Sequence, residues 1–275
     1  MSKKATAQFW DTAHRYLGHQ LKVIRQVSSH TIDSYRDCLN SFIDYLERVE
    51  NISRKKISFH NFGKETIKRY QTWMITEQGL APKTCNLRLT AIRSFLEYAA
   101  QEYLWLMPVY TDACTIAGVK TPNHAIEYFE PDEMTALLAA PSGTSRTDRR
   151  NQMMLIFLYD TAARVAEARQ VKVSDLHLDA GVPYVTLLGK GRKYRNIPLM
   201  EKTVLHLKRY LKDFHRSDPK TDLPLFYAKA HGLLHELSSD TFEKMIKRYA
   251  EQCREGGYPM PDRVHCHMIR KTRAM

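Results

Sequence analysis

Five side chains in the second half of the chain are of types that could act together on a phosphodiester. Two arginines can bind the non-bridging oxygens of one phosphate through paired hydrogen bonds, which matter most as negative charge grows in a transition state. A lysine can donate a proton to the departing sugar oxygen, and a histidine can transfer a proton on the side of the nucleophile. The candidates are Arg164, Glu167, Lys190, His267 and Arg270.

Each candidate also has an ordinary interpretation. Arg164 could form a surface salt bridge with Glu167. Lys190 could be a turn lysine, and His267 could bond a backbone carbonyl. The sequence contains neither paired aspartates at metal-site spacing nor a glycine-rich GxxxxGKS/T loop. This favours metal-free attack on a DNA phosphate by a side chain over hydrolysis by activated water.

Two predicted helices would carry four of these side chains. Residues 153–158 are apolar on every side, which predicts a buried helix that delivers Arg164 at or near a turn, with Glu167 one turn further on. His267 and Arg270 lie one turn apart in a run that reads as the start of a helix.

Lys190 is predicted to lie at the exposed tip of a β-hairpin. Residues 182–188 and 195–199 read as its two strands, and the tip between them, GKGRKYR, is flanked by glycine. Basic side chains beside this lysine are predicted to contact DNA: Arg192, Lys193 and Arg195.

The remaining apolar stripes of the second half predict three more helices. One begins at Pro131, where acidic residues follow the proline. Another has its apolar stripe over residues 204–214, and the third over residues 242–253, with Asp240 and Glu243 as its predicted cap. The fold class expected is mainly α with a small antiparallel β-sheet.

The first half reads as helices only, and one of them has a polar face that could bind DNA. Apolar stripes begin at Ile32, Ile67 and Leu89, and Pro82 opens the helix that carries the last of them. A solvated polar face is the ordinary interpretation for most helices. The excess of positive charge, the small hydrogen-bonding residues between the cations and the position at a helix start favour DNA contact. The predicted contacts are Lys83, Asn86, Thr90 and Arg93.

A linker is predicted between two domains. The periodicity lapses between residues 107 and 123, residues 110–118 are mixed and turn-like, and prolines bracket the stretch. We therefore expect a helical domain at residues 1–110, a linker at 111–126 and a second domain at 127–275.

The charge balance predicts a polyphosphate partner. The 275 residues include 42 Lys and Arg against 30 Asp and Glu, a net charge of +12 that is spread along the chain. Neutralising phosphates releases condensed counterions, so nucleic acid is the natural partner. A membrane surface is the competing interpretation, but no run approaches the roughly 18 apolar residues that a span needs.

The cysteine and leader patterns predict a cytoplasmic chain without a metal site. The five cysteines are scattered and form no CxxC pair, as is typical of reduced thiols. No apolar segment follows the lysines at the start, so no secretion is expected. His265, Cys266 and His267 lack the spacing of tetrahedral ligands, and no second cluster is available to complete such a site.

The motifs occur in an order that resembles the tyrosine recombinase (phage integrase) family. In the second half these are TAARVAEARQVKVSDL, GKGRKYRNIPL and HMIR. In the first half, TIDSYRDCLNSFIDYL and APKTCNLRLTAIRSFLEYAAQ are similar to the family's core-binding domain. The resemblance spans nearly the whole chain. It implies a helical core-binding domain followed by a catalytic domain.

The resemblance also implies a role for each candidate. Arg164 and Arg270 would be the paired catalytic arginines, Glu167 the supporting acid, Lys190 the hairpin lysine and His267 the histidine of an H-x-x-R motif. The implied reaction is strand exchange on double-stranded DNA through a 3′-phosphotyrosine and a free 5′-hydroxyl. It would occur in a homotetrameric synapse and would need neither ATP nor a metal ion.

The chain departs from the family pattern in three places. Ala162 and Ala163 stand where the family usually has Gly-Leu, and Lys271 stands where a second histidine is common. The family's nucleophilic tyrosine lies well beyond H-x-x-R, whereas the 15 tyrosines of this sequence all precede His267.

Two functions therefore stay open. The chain is either a recombinase truncated before its nucleophile, and so inactive in cleavage, or a DNA-binding regulator that retains the fold. A type IB topoisomerase would share the phosphate-binding residues, but the two-domain length and the core-binding stretch favour an integrase.

Overall fold

The computed structural model describes residues 3–122, 127–141, 145–189, 191, 193–215, 222–230 and 233–275. The chain forms two compact units, Met1–Asn123 and His124–Met275. The first unit is helical, and the second adds two small antiparallel sheets to its helices. The expected fold class is confirmed.

The first unit is built on helices whose ends follow the predicted signals. Ser28 accepts a hydrogen bond from the backbone N–H of Thr31 at the start of the helix Ser29–Arg48, and Pro82 occupies the first turn of the helix Pro82–Glu102. Its helices are α1 (Lys3–Arg15, continued as a π-helix over Tyr16–Ile24), α2 (Ser29–Arg48), α3 (Lys64–Thr76), α4 (Pro82–Glu102) and α5 (Met107–Thr115).

Aromatic rings fill the core of this unit. The ring centroids of Phe42 and Phe62 lie 4.8 Å apart, and those of Phe9 and Phe59 lie 5.4 Å apart. Phe95 of α4 is edge-on to Phe9 at 5.8 Å. Because such offset and edge contacts add to the burial of apolar surface, they fix the packing of α1, α2 and α4.

The predicted turn-like linker is wrong over α5. Met107–Thr115 is helical, and Ala113 and the following Ile116 are buried in the core of the first unit. The helix is short and its apolar positions are not periodic, so local patterning could not reveal it. Its packing comes from tertiary contacts with α4. Residues 123–126 of the expected linker lie outside the described residues.

The second unit places helices around a shared apolar core. The predicted hairpin is present, as are the helices expected near residues 131, 153, 204, 242 and 267. The helices are α6 (Pro131–Ala139), α7 (Arg146–Thr161), α8 (Val165–Gln170), α9 (Glu201–His215), α10 (Ser239–Glu255) and α11 (Cys266–Ala274).

Two antiparallel sheets complete the second unit. One has the order β1 (Leu176–His177), β2 (Tyr184–Leu188) and β3 (Tyr194–Pro198), and the other pairs β4 (Tyr227–Ala230) with β5 (Leu233–Glu236). The second sheet was not predicted, because the residues of β5 are all exposed and show no apolar alternation.

The predicted cap of α10 is wrong. Ser238, not Asp240, accepts the hydrogen bond from the backbone N–H of Thr241. The carboxylate of Glu243 instead accepts the N–H of Cys266 at the start of α11, at 3.3 Å. Glu243 thereby connects α10 to the helix that carries His267.

No helix in the described parts of the chain is long and apolar enough to cross a membrane.

Candidate active site

A buried carboxylate stands at the centre of the predicted site. The side chain of Glu167 is 4% exposed. Its Oε1 accepts a hydrogen bond from Nη1 of Arg164 at 2.8 Å, and its Oε2 accepts the backbone N–H of Arg164, also at 2.8 Å. Nη2 of Arg195 donates to the same Oε2 at 2.7 Å. One acid therefore holds two guanidinium groups in place.

A tight turn between α7 and α8 places the Arg164 side chain beside Glu167. Helix α7 is followed by Ala162, whose backbone is left-handed with φ 47° and ψ 33°. The Thr161 hydroxyl accepts the N–H of Ala163 at 3.2 Å, which satisfies a backbone donor in the turn. Arg164 is then extended, at φ −70° and ψ 151°, and α8 begins with Glu167 in its first turn.

The β2–β3 hairpin packs its base against Glu167. Arg195 of β3 is paired with Leu187 of β2, and the N–H of Gly189 donates to the carbonyl of Lys193 at 2.8 Å. A Cβ at position 189 would lie 3.3 Å from that carbonyl and 3.5 Å from Oε1 of Glu167. The close approach of backbone to carboxylate therefore favours glycine at this position.

The last helix brings Arg270 to the same turn. Nη1 of Arg270 donates to the carbonyl of Ala162, two residues before Arg164. Met268 and Ile269 of α11 are fully buried in the core. This burial fixes the helix that presents Arg270.

The electrostatics leave the cluster with an excess of positive charge. Burial raises the pKa of Glu167, but hydrogen bonds from Arg164 and the charge of Arg195 outweigh it, and the pKa falls below its usual value. Burial lowers the pKa of Arg270, and the positive charges of Arg164 and Arg195 lower it further. With a single ionised carboxylate among three cations, the cluster is suited to an anion.

His267 is exposed in the first turn of α11. Its partial burial lowers its pKa, and the positive charges of Lys271 and Arg270 lower it further. The imidazole is therefore mostly neutral near neutral pH, and one ring nitrogen can accept a proton.

The predicted DNA contacts of the hairpin have different outcomes. Lys190 and Arg192 lie outside the described residues. Lys193 is exposed and directly precedes β3. Arg195 is one third exposed and bonds Glu167, so it belongs to the cluster.

The signal for this placement of Arg195 was present in the sequence. Strand residues two apart share a face, and Ile197, two residues on, packs against the core. The alternation therefore turns Arg195 towards the protein.

The polar face predicted on α4 is used mostly inside the first unit. Nδ2 of Asn86 donates to the carbonyl of Val119, and its Oδ1 accepts the Val119 N–H at 2.8 Å. Arg93 donates to the carbonyls of Ala113 and Ile116. The side chains of these two residues therefore bond backbone groups near the end of α5 and in the segment after it. Their contact with DNA stays a prediction.

The other two residues of that face remain candidates. Lys83 and Thr90 are exposed. The Thr90 hydroxyl also donates to the carbonyl of Asn86 at 2.9 Å, within its own helix.

Comparison with known proteins gives matches in both units. Residues 127–275 match the family described as "Phage integrase family", and residues 14–103 match "Phage integrase, N-terminal SAM-like domain". The chain is 33% identical over 237 residues to tyrosine recombinase XerD of Halalkalibacterium halodurans, covering 85% of this chain and 74% of that protein. It is 27% identical over 254 residues to tyrosine recombinase XerC of Staphylococcus haemolyticus, covering 92% and 79%.

A solved structure shares the fold. The XerH site-specific recombinase, bound to a palindromic difH substrate in a post-cleavage complex, aligns with a TM-score of 0.68. The alignment covers 91% of this chain and 69% of that one, at 20% sequence identity.

Proposed function

The chain belongs to the phage integrase family of tyrosine recombinases, and from this premise we propose that it binds double-stranded DNA for site-specific recombination. The observation that carries the proposal is the cluster of Arg164, Arg195 and Arg270 around the single buried acid Glu167. In this proposal the first unit is a core-binding domain and the second a catalytic domain.

The proposed ligand of the cluster is one phosphate of the DNA backbone. A guanidinium has five N–H donors, and Arg164 is half exposed while one of its nitrogens bonds Glu167. Arg270 is oriented by the Ala162 carbonyl. The two arginines would bind the non-bridging oxygens, and their fixed positive charge would stabilise the additional negative charge of the transition state.

The proposed reaction exchanges one phosphoester for another. A tyrosine hydroxyl attacks the phosphorus, the bond from phosphorus to the 5′-oxygen breaks, and a 3′-phosphotyrosine forms. His267 would accept the tyrosine proton, for which its lowered pKa suits it, and Lys190 would protonate the departing 5′-oxygen. Because an ester bond is kept throughout, the reaction needs no ATP, and the arginines supply the charge that a metal ion could otherwise provide.

We further propose that no tyrosine within these 275 residues is the nucleophile. The resemblance places that residue beyond His267, where this sequence has none. Tyr249 is buried, and its hydroxyl donates to Asp148 at 2.8 Å and accepts from Asn151 at 3.1 Å. Tyr210 and Tyr227 likewise donate their hydroxyl protons to backbone carbonyls.

Alone, the 275 residues would then bind DNA without cleaving it. A second candidate function is a DNA-binding regulator without catalytic activity, because the cluster of Arg164, Arg195 and Arg270 could bind a DNA phosphate without any nucleophile. Supplying the chain with a tyrosine-bearing segment distinguishes the two functions. DNA cleavage supports the recombinase, and continued inactivity supports the regulator. For the recombinase we propose a homotetramer on two DNA sites.

The binding proposal is tested by fluorescence anisotropy of a labelled duplex over a range of salt concentrations. We expect a steep fall of affinity with salt, because each phosphate contact contributes a slope of about −0.9 in log K against log salt. Arg164→Ala and Arg270→Ala should each weaken binding. Arg149→Ala is the control, since Arg149 is paired with Asp213 on α9. A flat salt dependence would contradict the proposal.

A further inference from the structure

Arg195 has the geometry of a support for the acid at the centre of the cluster. Its guanidinium donates to Oε2 of Glu167 at 2.7 Å, and its side chain is one third exposed. The same oxygen accepts the backbone N–H of Arg164. A single buried atom thus joins β3 to the first turn of α8.

The neighbouring backbone closes around this contact. A Cβ at Gly189 would lie 3.8 Å from Nη1 of Arg195 and 3.5 Å from Oε1 of Glu167. The base of the hairpin therefore lies beside both ends of the ion pair.

The positive charge of Arg195 also supports the ionised form of Glu167. Burial alone would raise the pKa of Glu167, and Arg195 is one of the two cations that hold it ionised. A protonated Glu167 would accept hydrogen bonds from Arg164 less strongly, because charge-assisted bonds are about twice as strong as neutral ones. The orientation of Arg164 therefore depends on a residue of another element.

We infer that Arg195 is a positioning residue for the phosphate-binding site, which acts by holding Glu167 against Arg164 and not by binding DNA itself. This inference rests on the proposed function, because that function assigns Arg164 to the DNA phosphate. The Glu167 carboxylate, which accepts hydrogen bonds from both Arg164 and Arg195, couples the hairpin to Arg164.

The test is a double-mutant cycle with four variants. Arg195→Ala removes the contact, and Arg195→Lys keeps the charge but loses the planar donor fork. Glu167→Gln leaves one acceptor oxygen where the protein uses two, and the fourth variant combines Glu167→Gln with Arg195→Ala. Lys193→Ala is the matched control, because it removes an exposed cation from the same hairpin.

The first readout is the melting temperature as a function of pH, which needs no DNA. Arg195→Ala should lower the melting temperature near pH 7, and the difference from wild type should shrink as the pH falls and Glu167 takes up its proton. In the Glu167→Gln background, Arg195→Ala should have little further effect. Lys193→Ala should leave the melting temperature unchanged at every pH.

The second readout is duplex affinity. Arg195→Ala should lower it about tenfold, as expected for loss of a hydrogen bond to a charged group. Glu167→Gln should lower it similarly, and the double variant no more than either. Arg195→Lys should recover part of the loss. If Arg195→Ala does not fold, the duplex affinity of Arg195→Lys still tests the inference.

Two results would overturn the inference. One is an additive loss of affinity in the double variant, and the other is a loss of affinity without any pH-dependent change in stability. Either would make Arg195 a direct phosphate contact. If no variant and not even the wild type binds DNA, the proposed function fails, whereas the coupling in the melting data still decides the role of Arg195.

Discussion

Ala162 is a residue whose replacement by glycine should stabilise the protein. It directly follows α7 and lies in the left-handed region, at φ 47° and ψ 33°. There the Cβ of an L-residue crowds the carbonyl oxygen that follows, at a cost of roughly 1–2 kcal/mol. Glycine removes this cost but loses about 0.4–1 kcal/mol through the greater entropy of the unfolded chain. The free energy of unfolding should therefore rise by about 0.5–1 kcal/mol in Ala162→Gly.

Ala140 provides a matched control. It also follows the end of a helix, α6, and is half-buried like Ala162, but its backbone is right-handed at φ −56° and ψ −37°. Here glycine has no strain to relieve. The substitution increases the backbone entropy of the unfolded chain and removes a methyl group that packs against the core. Ala140→Gly should therefore lower the free energy of unfolding by about 1 kcal/mol.

The assay is thermal unfolding followed by circular dichroism or calorimetry. For a unit of this size, 1 kcal/mol corresponds to about 2–4 °C in melting temperature. Ala162→Gly should raise the melting temperature by about 1–4 °C and Ala140→Gly should lower it by a similar amount. Equal decreases in both variants would refute the argument, because they would mean that the turn before Arg164 holds no strain.

Three further predictions follow from the site. Glu167→Gln should lower the free energy of unfolding near pH 7 by about 2–3 kcal/mol. The pKa of Glu167 is held below its usual value, so its contribution to stability is present above the unfolded-state pKa and is lost as the pH falls through the folded-state pKa. The melting temperatures of wild type and variant should therefore converge in acid. A difference that stays constant with pH would contradict this. In a protein supplied with the tyrosine nucleophile, Lys190→Ala should slow DNA cleavage without weakening DNA binding. A substrate with a 5′-bridging phosphorothiolate should restore the cleavage rate, because its leaving group needs no proton. If the rate is not restored, Lys190 only positions the DNA. The 275-residue chain mixed with a labelled suicide substrate should leave no covalent band on a denaturing gel, and such a band would mean that one of its own tyrosines is the nucleophile.

Much of the fold followed from the sequence because periodicity and end signals agreed. The all-apolar stretch of α7 predicted its burial, and the glycine-flanked hairpin appeared between the two predicted strands. The ion pair of Arg164 and Glu167 was the ordinary interpretation of their spacing, since residues three apart in a first turn are neighbours, and the structure contains it. That Arg270 donates to the Ala162 carbonyl could not be predicted, because the contact joins residues more than a hundred positions apart.

The sequence did not reveal which polar side chains bond other segments of the chain. Asn86 and Arg93 have the residue types and spacing of a DNA-binding face, but their donors bond the backbone around residues 113–119. A helical pattern distinguishes apolar from polar faces, and it does not reveal whether a polar face is covered by another segment. For Arg195 the strand alternation carried the correct signal, yet its charge suggested a surface contact.

The central claim is that Arg164 and Arg270 together bind one phosphate of duplex DNA. The most direct measurement is an experimental structure of the chain with a DNA duplex. We expect both guanidinium groups to donate to oxygens of the same phosphate at about 2.7–2.9 Å, with Arg195 still bonded to Glu167. A complex in which the DNA lies on another face, or in which the two arginines contact different phosphates, would contradict the claim.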